Sequence, residues 1–380
     1  MNLQKICIIG DGLAGLSAAV ILSHENVKID LYTGSDIKKI KNDERTTAIS
    51  ESSYQFIRQK FNIKKNIFWS CKEIDLFYED EKIIKNFLNF KEKNKNLMYI
   101  FKNVELKKKL KEKIHKKKNI KVIKKIITNI NYTDGYVSIK KNKLCYDLII
   151  LSLGSQSKLY NRITQERSIE KNYNEMALTA IVSHKSRINK VSQFFLKDGP
   201  LAVLPFTKNK FSVVWSVSNI FFLTNKVSLK KILLLRIKTL LNTNKIKDIN
   251  NIESFPIKLN LKTKYFKKNV LILGDGLHAI HPMAGQGFNL VLRDIKKLND
   301  LMIKTLNLGI SFKNSFLLKN FYQARKPENT ILGLGVDLTN IFFKDNKYVA
   351  PLKKTLLNNI NRFKFIKKIS QFISDKGITN

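Results

Sequence analysis

Two glycine clusters mark where this chain could do chemistry. The first is Gly10-Asp11-Gly12-Leu13-Ala14-Gly15. The second begins at Gly274-Asp275-Gly276 and closes at Gly285-Gln286-Gly287. Glycine lets backbone approach a flat or charged ligand closely, and a helix starting there presents free N–H groups to anionic or electron-rich atoms. The chemistry this suits is the holding of a cofactor. His278 and His281 lie three apart, but only five histidines exist and no cysteine or carboxylate cluster joins them, so no metal centre is expected. No Ser-His-Asp or paired-carboxylate motif stands out. A chain without protein nucleophiles but with such a cradle leaves the hard chemistry to its cofactor.

The flanking segments have the right character to position these clusters. Ile6, Ile8 and Ile9 make a short buried strand before the first cluster, and a helix is expected from about Leu16 to His24. Strand, glycine turn and helix form the context of a dinucleotide site. Gly10 permits the tight turn, Gly12 the approach of a pyrophosphate, and Gly15 close strand–helix packing. The apolar run Val270-Leu271-Ile272-Leu273 reads as a second buried strand. A loop containing Pro282 follows, then a helix expected to turn Leu290, Val291 and Ile295 inward and Arg293, Asp294, Lys296 and Lys297 outward. The strand Val27 to Thr33 ends on a threonine where such sites usually carry an acidic residue for the ribose. Asp30 is out of phase, Asp36 lies past the turn, and Thr33 offers a single hydroxyl. A further buried strand, Tyr146 to Leu153, precedes Gly154. From about Met176 the texture changes to short strands.

With 380 residues and 43% hydrophobic content the chain can bury a large core, as two intimate domains or one large one. Lys+Arg minus Asp+Glu gives +40. The lysines are spread along the chain among many Asn and Ile, which fits a compositional bias toward A/T-rich codons. The densest run, within Glu105 to Lys118, reads as an amphipathic helix on Leu106, Leu110 and Ile114, without aromatics to stack bases. No nucleic-acid partner is expected. A positive field would favour an anionic membrane surface or anionic cofactors. Cys7, Cys71 and Cys145 are odd in number and widely spaced, which fits reduced thiols in a cytosolic protein. The N-terminus enters a strand at once, so no signal peptide is expected. No apolar run reaches the ~18–20 residues of a spanning helix. Pro351 to Ile373 reads as a basic amphipathic helix, able to lie on a membrane or pack on its own domain.

The second cluster in full, GDxxHxxHPxxGQGxNLxxRD, resembles the second flavin-binding signature of the class A flavoprotein aromatic hydroxylases, most closely the ubiquinone-biosynthesis branch. Gly274, Asp275, His278, His281, Pro282, Gly285, Gln286, Gly287, Asn289, Arg293 and Asp294 fall on the pattern. Asp43 to Ser50 resembles the branch's DxRxxALS segment, and Asp198 to Trp215 its GPLAxLP…SxVW stretch. Phe321 to Asn346 resembles its tail, so the likeness runs from Lys5 to about Lys376. The middle signature departs: Gly154 and Ser157 are kept, but Leu153 replaces an aspartate and Tyr160 an arginine.

The resemblance implies an α/β fold of the para-hydroxybenzoate hydroxylase type. A Rossmann-like FAD-binding domain (1–70, 100–160 and 265–325) is interleaved with an antiparallel β-sheet substrate domain (71–99 and 161–264). C-terminal helices occupy 326–380. It implies FAD as cofactor, NADH or NADPH as electron donor, and hydroxylation of the ring of a polyprenylated phenol by dioxygen through a flavin C4a-hydroperoxide. Gly10, Gly12, Leu13, Ala14, Gly15 and Thr33 would serve the dinucleotide end. Arg45 would sit by the flavin. Gly274 and Asp275 would meet the ribityl chain. Pro282, Gly285, Gln286, Gly287 and Asn289 would surround the ring. An apolar substrate further implies a cytoplasmic protein with peripheral contact to the inner face of the cell membrane, and other ubiquinone-pathway enzymes as partners. Leu153 and Tyr160 put nicotinamide use in question and leave a second reading open: a non-catalytic FAD-binding scaffold of the ubiquinone-synthesis complex.

Overall fold

Four apolar segments far apart in sequence assemble the sheet beneath both glycine clusters. A computed structural model describes residues 3–34, 43–63, 65–81, 83–139, 142–164, 168–186, 188–250 and 252–344, and near the C-terminus 356–357, 368, 371 and 373–377. The six strands lie in the order Phe266–Lys267, Val270–Ile272, Leu148–Leu151, Gln4–Ile9, Val27–Thr33, Ile120–Lys124. All neighbours are parallel except the short edge hairpin Phe266–Lys267 with Val270–Ile272. Ile6 to Ile9 pair with Leu148 to Leu151 on one side and with Ile29 to Tyr32 on the other. A central parallel strand is covered on both faces, which is why these strands are nearly continuous in apolar residues.

The helix Leu13–Leu22 begins three residues earlier than its periodicity suggests, because Gly12 is its N-cap. It is buried all round from Gly15 to Leu22. On Asn103–His115, Leu106, Leu110 and Ile114 are buried, as the lysine-run pattern predicts. Gly287–Asn307 follows the second cluster and buries Leu290, Val291 and Ile295 as expected. Asp294 corrects that expectation. It was placed on the outer face, but its side chain is fully buried, because His278 and the guanidinium of Arg325 meet it there.

A second, larger sheet carries the short strands. Its path is His278–Ala279, Glu253–Lys262, Ser168–His184, Lys210–Ser218, Gly199–Thr207, Val191–Leu196, Glu73–Asp80, Ile83–Lys91. The pairing is antiparallel except between Val191–Leu196 and Glu73–Asp80. Trp215, Phe194, Phe211 and Leu233 sit in its core. The two-residue strand His278–Ala279 comes from the second glycine segment, so this segment leaves one sheet and joins the other. The long helix Ser315–Phe343 then packs on Gly287–Asn307 and on the large sheet. There Gly333 touches Leu261 so closely that any side chain would overlap it. Most of the amphipathic segment expected over 351–373 lies outside the described residues.

Candidate functional site

The place where the chain crosses between sheets is hollow. A cavity of about 1070 Å³ runs from the first glycine cluster, past the second, to the face of the large sheet. That is the upper end of the ~300–1,000 Å³ typical of pockets for small ligands and cofactors. Gly12, Leu13, Ala14, Arg45, Asp275, Pro282, Gly285, Gln286, Gly287 and Asn289 all line it, although up to 277 residues separate them in sequence (289 − 12).

The other expected residues do not line it. Gly10, at φ 121°, has no room for a side chain, since a Cβ there would lie 2.1 Å from the Ser152 carbonyl oxygen. A Cβ at Gly15 would lie 2.1 Å from the Gly10 carbonyl oxygen, and one at Gly274 would lie 2.7 Å from the Ala14 Cβ. These three glycines let the cradle's backbone segments touch one another. Thr33 is fully buried at the end of its strand, beside Ile120–Lys124, and its hydroxyl does not reach the cavity. Asp30 is engaged elsewhere, accepting a hydrogen bond from Tyr146 Oη at 2.7 Å.

Gly12, Gly154 and Gly287 behave oppositely. A Cβ on any of them would meet no heavy atom of the described residues within 4 Å, and all three line the cavity. Gly12 sits at the start of Leu13–Leu22 and Gln286 at the start of Gly287–Asn307, so two helix N-termini are directed at the hollow. Ser152 Oγ and Thr46 Oγ1 also belong to lining residues and are buried without a hydrogen-bond partner among the described residues. Bare backbone, two helix N-termini and orphaned hydroxyls fit a long, phosphate-bearing, hydroxyl-rich cofactor such as FAD.

Charged groups around the hollow are arranged in pairs. Arg45 Nε donates to Asp43 Oδ1 at 2.8 Å and Nη2 to Oδ2 at 2.9 Å, while the guanidinium stands 5.0 Å from the centre of the Phe255 ring. The bond to Asp43 raises the Arg45 pKa despite partial burial. Burial pushes the Asp43 carboxyl up, but Arg45 and Lys107 more than offset this and hold it low. Asp275 is exposed on the turn Gly274–Gly276 and makes no hydrogen bond to another described residue. Its carboxylate is free to accept from a ligand hydroxyl. Asn289 serves the loop: its Oδ1 accepts from the Ser50 N–H at 3.0 Å and its Nδ2 donates to the Gly285 carbonyl at 3.2 Å.

The two histidines of the second cluster are each paired with a carboxylate. His281 is buried, with Nε2 3.0 Å from Glu175 Oε2 and Nδ1 accepting from the Met283 N–H at 3.2 Å. It thereby fixes the Pro282 turn. His278 Nε2 lies 2.6 Å from Asp294 Oδ2, and Arg325 Nε donates to Asp294 Oδ1 at 2.7 Å. Arg325 also pairs with Glu328. Among the described residues no three His, Cys, Asp or Glu side chains are grouped to hold a metal ion.

Several participants were not foreseen. The departures at 153 and 160 form one unit, with the Leu153 N–H donating to Tyr160 Oη at 2.8 Å and the Tyr160 ring packed on Gly276. Near the C-terminus, Asp375 Oδ1 accepts from the Ser52 N–H at 2.8 Å, and Arg293 Nη2 donates to the Ser374 and Asp375 carbonyls. Gln371, Ser374 and Asp375 thus form part of the cavity wall. Arg293 was expected to face outward, but its side chain is only 11% exposed, and nothing in the sequence pointed to this contact. On the far side, the large sheet contributes Ile74, Leu88, Val191, Leu204, Val214 and Ile257, an apolar wall.

Residues 5–220 match the family model described as Glucose inhibited division protein A, and residues 229–374 the one described as Squalene epoxidase. The mitochondrial ubiquinone biosynthesis monooxygenase COQ6 of Dictyostelium discoideum is 23% identical over 96% of this chain and 90% of its own length. The 3-demethoxyubiquinol 3-hydroxylase of Escherichia coli is 30% identical over 42% of this chain and 41% of its own. The crystal structure of p-nitrophenol 4-monooxygenase from Pseudomonas putida superposes with a TM-score of 0.79, at 14% identity, covering 100% of this chain and 99% of that one. Fold and site thus define an FAD-dependent monooxygenase. The chain belongs to the Glucose inhibited division protein A family, matched over 5–220, and is similar to monooxygenases and hydroxylases of ubiquinone biosynthesis.

Proposed function

We propose that this monooxygenase hydroxylates the aromatic ring of a polyprenylated phenol in ubiquinone biosynthesis, with NADH or NADPH as electron donor. The observation that carries the reading is the two-sided cavity. One side is bare backbone and helix N-termini from the two glycine clusters, and the other is the apolar face of the large sheet.

Bound FAD would supply the activation of dioxygen. The chain's own residues do the rest. Gly12 and the start of Leu13–Leu22 would receive the pyrophosphate, with Leu13 and Ala14 beside it. Asp275 would accept from a ribityl hydroxyl. The backbone of Gly285, Gln286 and Gly287 would face the edge of the flavin ring, with Pro282 along its side and Asn289 holding the loop. Gly10, Gly15 and Gly274 keep the cradle closed. Arg45 adds positive charge at the rim. The apolar sheet would orient the phenol and exclude water, which favours oxygen transfer over wasteful release of peroxide. An apolar substrate of this kind resides in a bilayer, so peripheral membrane contact and neighbouring pathway enzymes belong to the same proposal.

The test is turnover by the purified, FAD-loaded protein with NADH or NADPH, a prenylated phenol and isotopically heavy dioxygen. One heavy oxygen atom in the product is expected. Reductant oxidation without hydroxylated product, for every phenol of the pathway, would contradict the reading.

A second reading, the non-catalytic scaffold, is favoured by one observation. Tyr160 stands buried where the family carries an arginine, and Leu153 where it carries an aspartate, so neither charge faces an incoming nicotinamide. Failure of either nicotinamide to bleach the bound flavin would favour the scaffold.

A further inference from the structure

The helical excursion from the large sheet, Asn219–Thr224 and Leu229–Leu240, has two unlike faces. Inward, Phe221 meets Trp215 with ring centres 5.3 Å apart, and Leu229, Leu233 and Ile237 are buried in the sheet's core. Outward, Ile220, Leu223 and Val227 recur at three- and four-residue spacing and are 77%, 64% and 103% exposed. Val227 lies in the turn between the helices and Leu223 near the end of the first, so these two bare apolar side chains stand at the tip of the excursion, with Ile220 one helical turn back. Lys226, Lys230 and Lys231 are exposed around them. Single exposed apolar residues are ordinary, but several gathered at a tip and ringed by cations suit the boundary between lipid headgroups and acyl chains.

A second cavity, of about 610 Å³, points the same way. The exposed Asn219 and Ile220 stand on its wall, and Phe195 is shared between it and the main cavity. Phe195 is stacked on Phe343 at 3.6 Å between ring centres. A surface laid against the tip would therefore lie beside the stretch of protein that leads, past Phe195, to the main cavity.

We infer that the tip formed by Ile220, Leu223 and Val227 is a docking surface for an anionic lipid bilayer, with the apolar side chains entering the acyl boundary and the lysines meeting the headgroups. This rests on the proposed apolar substrate for its purpose, though not for its test. Positive charge is spread over the whole chain, at +40, so attraction to anionic vesicles alone would prove little. The discriminating feature is the apolar tip.

The experiment is co-sedimentation of the full-length, FAD-loaded protein with phosphatidylcholine vesicles containing phosphatidylserine, at physiological salt. The double variant Leu223→Ser/Val227→Ser keeps every lysine and alters neither cavity wall. It should lose roughly tenfold or more in partitioning, while the control Leu308→Ser/Ile331→Ser, exposed apolar positions elsewhere, should bind like the parent. In a separate variant, V227W, tryptophan emission should shift to the blue on adding vesicles. Equal partitioning of the tip and control variants, with no emission shift, would overturn the proposal. So would a tip effect seen only as loss of self-association on a sizing column without vesicles. Turnover of a short-chain, water-soluble phenol by the tip variant should be unchanged. That assay reads the proposed function separately, since its failure in the parent protein would count against the activity and leave the vesicle result standing.

Discussion

The N–H of Leu153 donates to the hydroxyl oxygen of Tyr160 across 2.8 Å, and both residues depart from the middle signature of their family. The two changes are therefore one structural solution. Tyr160 is 1% exposed and lies against Gly276, which belongs to the second glycine cluster. Burial pushes its phenol well above the ordinary tyrosine range, so it stays neutral. Tyr160, standing where the family carries an arginine, thus braces the segment Ser152–Gly154 against the Gly274–Gly276 turn.

Removing that hydroxyl tests the brace. Tyr160→Phe leaves the Leu153 N–H without its acceptor, at a cost of about 1–3 kcal/mol. Denaturant unfolding should show that loss. Flavin retention should fall with it, because both turns contribute to the cavity. Stability and flavin content equal to those of the parent would remove the brace from the account.

Two glycines in one motif should respond in opposite ways. Gly12→Ala places a methyl group in open space, so thermal stability should hold while FAD affinity drops sharply. Gly15→Ala drives a methyl group to 2.1 Å from the Gly10 carbonyl oxygen, so the fold itself should lose about 1–3 kcal/mol. Thermal melts of the two apoproteins, followed by FAD titration, separate these outcomes. A destabilised Gly12→Ala protein, or one that binds FAD normally, would show that the pyrophosphate lies elsewhere.

Asp275 is exposed and free of hydrogen bonds to described residues. Asp275→Ala should therefore change stability by less than about 0.5 kcal/mol. If its carboxylate accepts a ribityl hydroxyl, the variant loses a charged hydrogen bond worth about 1.5–3 kcal/mol, on the order of a tenfold to hundredfold loss of FAD affinity. Fluorescence titration of apoprotein with FAD checks it, and unchanged affinity would displace Asp275 from the site.

Asp294 carries a pH prediction. Burial pushes its carboxyl up, yet Arg325 and His278 together hold it below the ordinary carboxylate value. A depressed folded pKa contributes stability that is complete above the unfolded value of about 3.9. That stability is lost as pH falls through the lower folded value. Unfolding free energy should accordingly decline below about pH 4. Asp294→Asn, which leaves Arg325 without one buried partner, should lose about 3–5 kcal/mol at neutral pH and flatten the acid decline. An acid profile identical to the parent's would contradict this assignment.

What could be read from the sequence was whatever depends on neighbours in the chain. Apolar runs ending in glycine gave the strands, both clusters and the Leu106-Leu110-Ile114 helix face. The fate of Asp294 was hidden because Arg325, its partner, lies 31 residues away on another helix. Periodicity alone puts a charged residue outside. Thr33 was expected to offer its hydroxyl to the ribose, and only the pairing of Ile120–Lys124 beside it shows its burial. The contacts of Ser374 and Asp375 with Arg293 and Ser52 join the two ends of the chain and leave no local mark. The apolar tip at Val227 was equally silent, since hydrophobicity in sequence does not distinguish a core position from a bare one.

The central claim is that the cradle and the apolar wall together serve ring hydroxylation on the way to ubiquinone. The most direct measurement is quinone analysis of bacterial strains, each lacking one ring hydroxylase, after expression of this chain. The account predicts that one strain regains ubiquinone and loses its accumulated intermediate, which also identifies the ring position. A folded, FAD-loaded protein that restores none of the strains would contradict it.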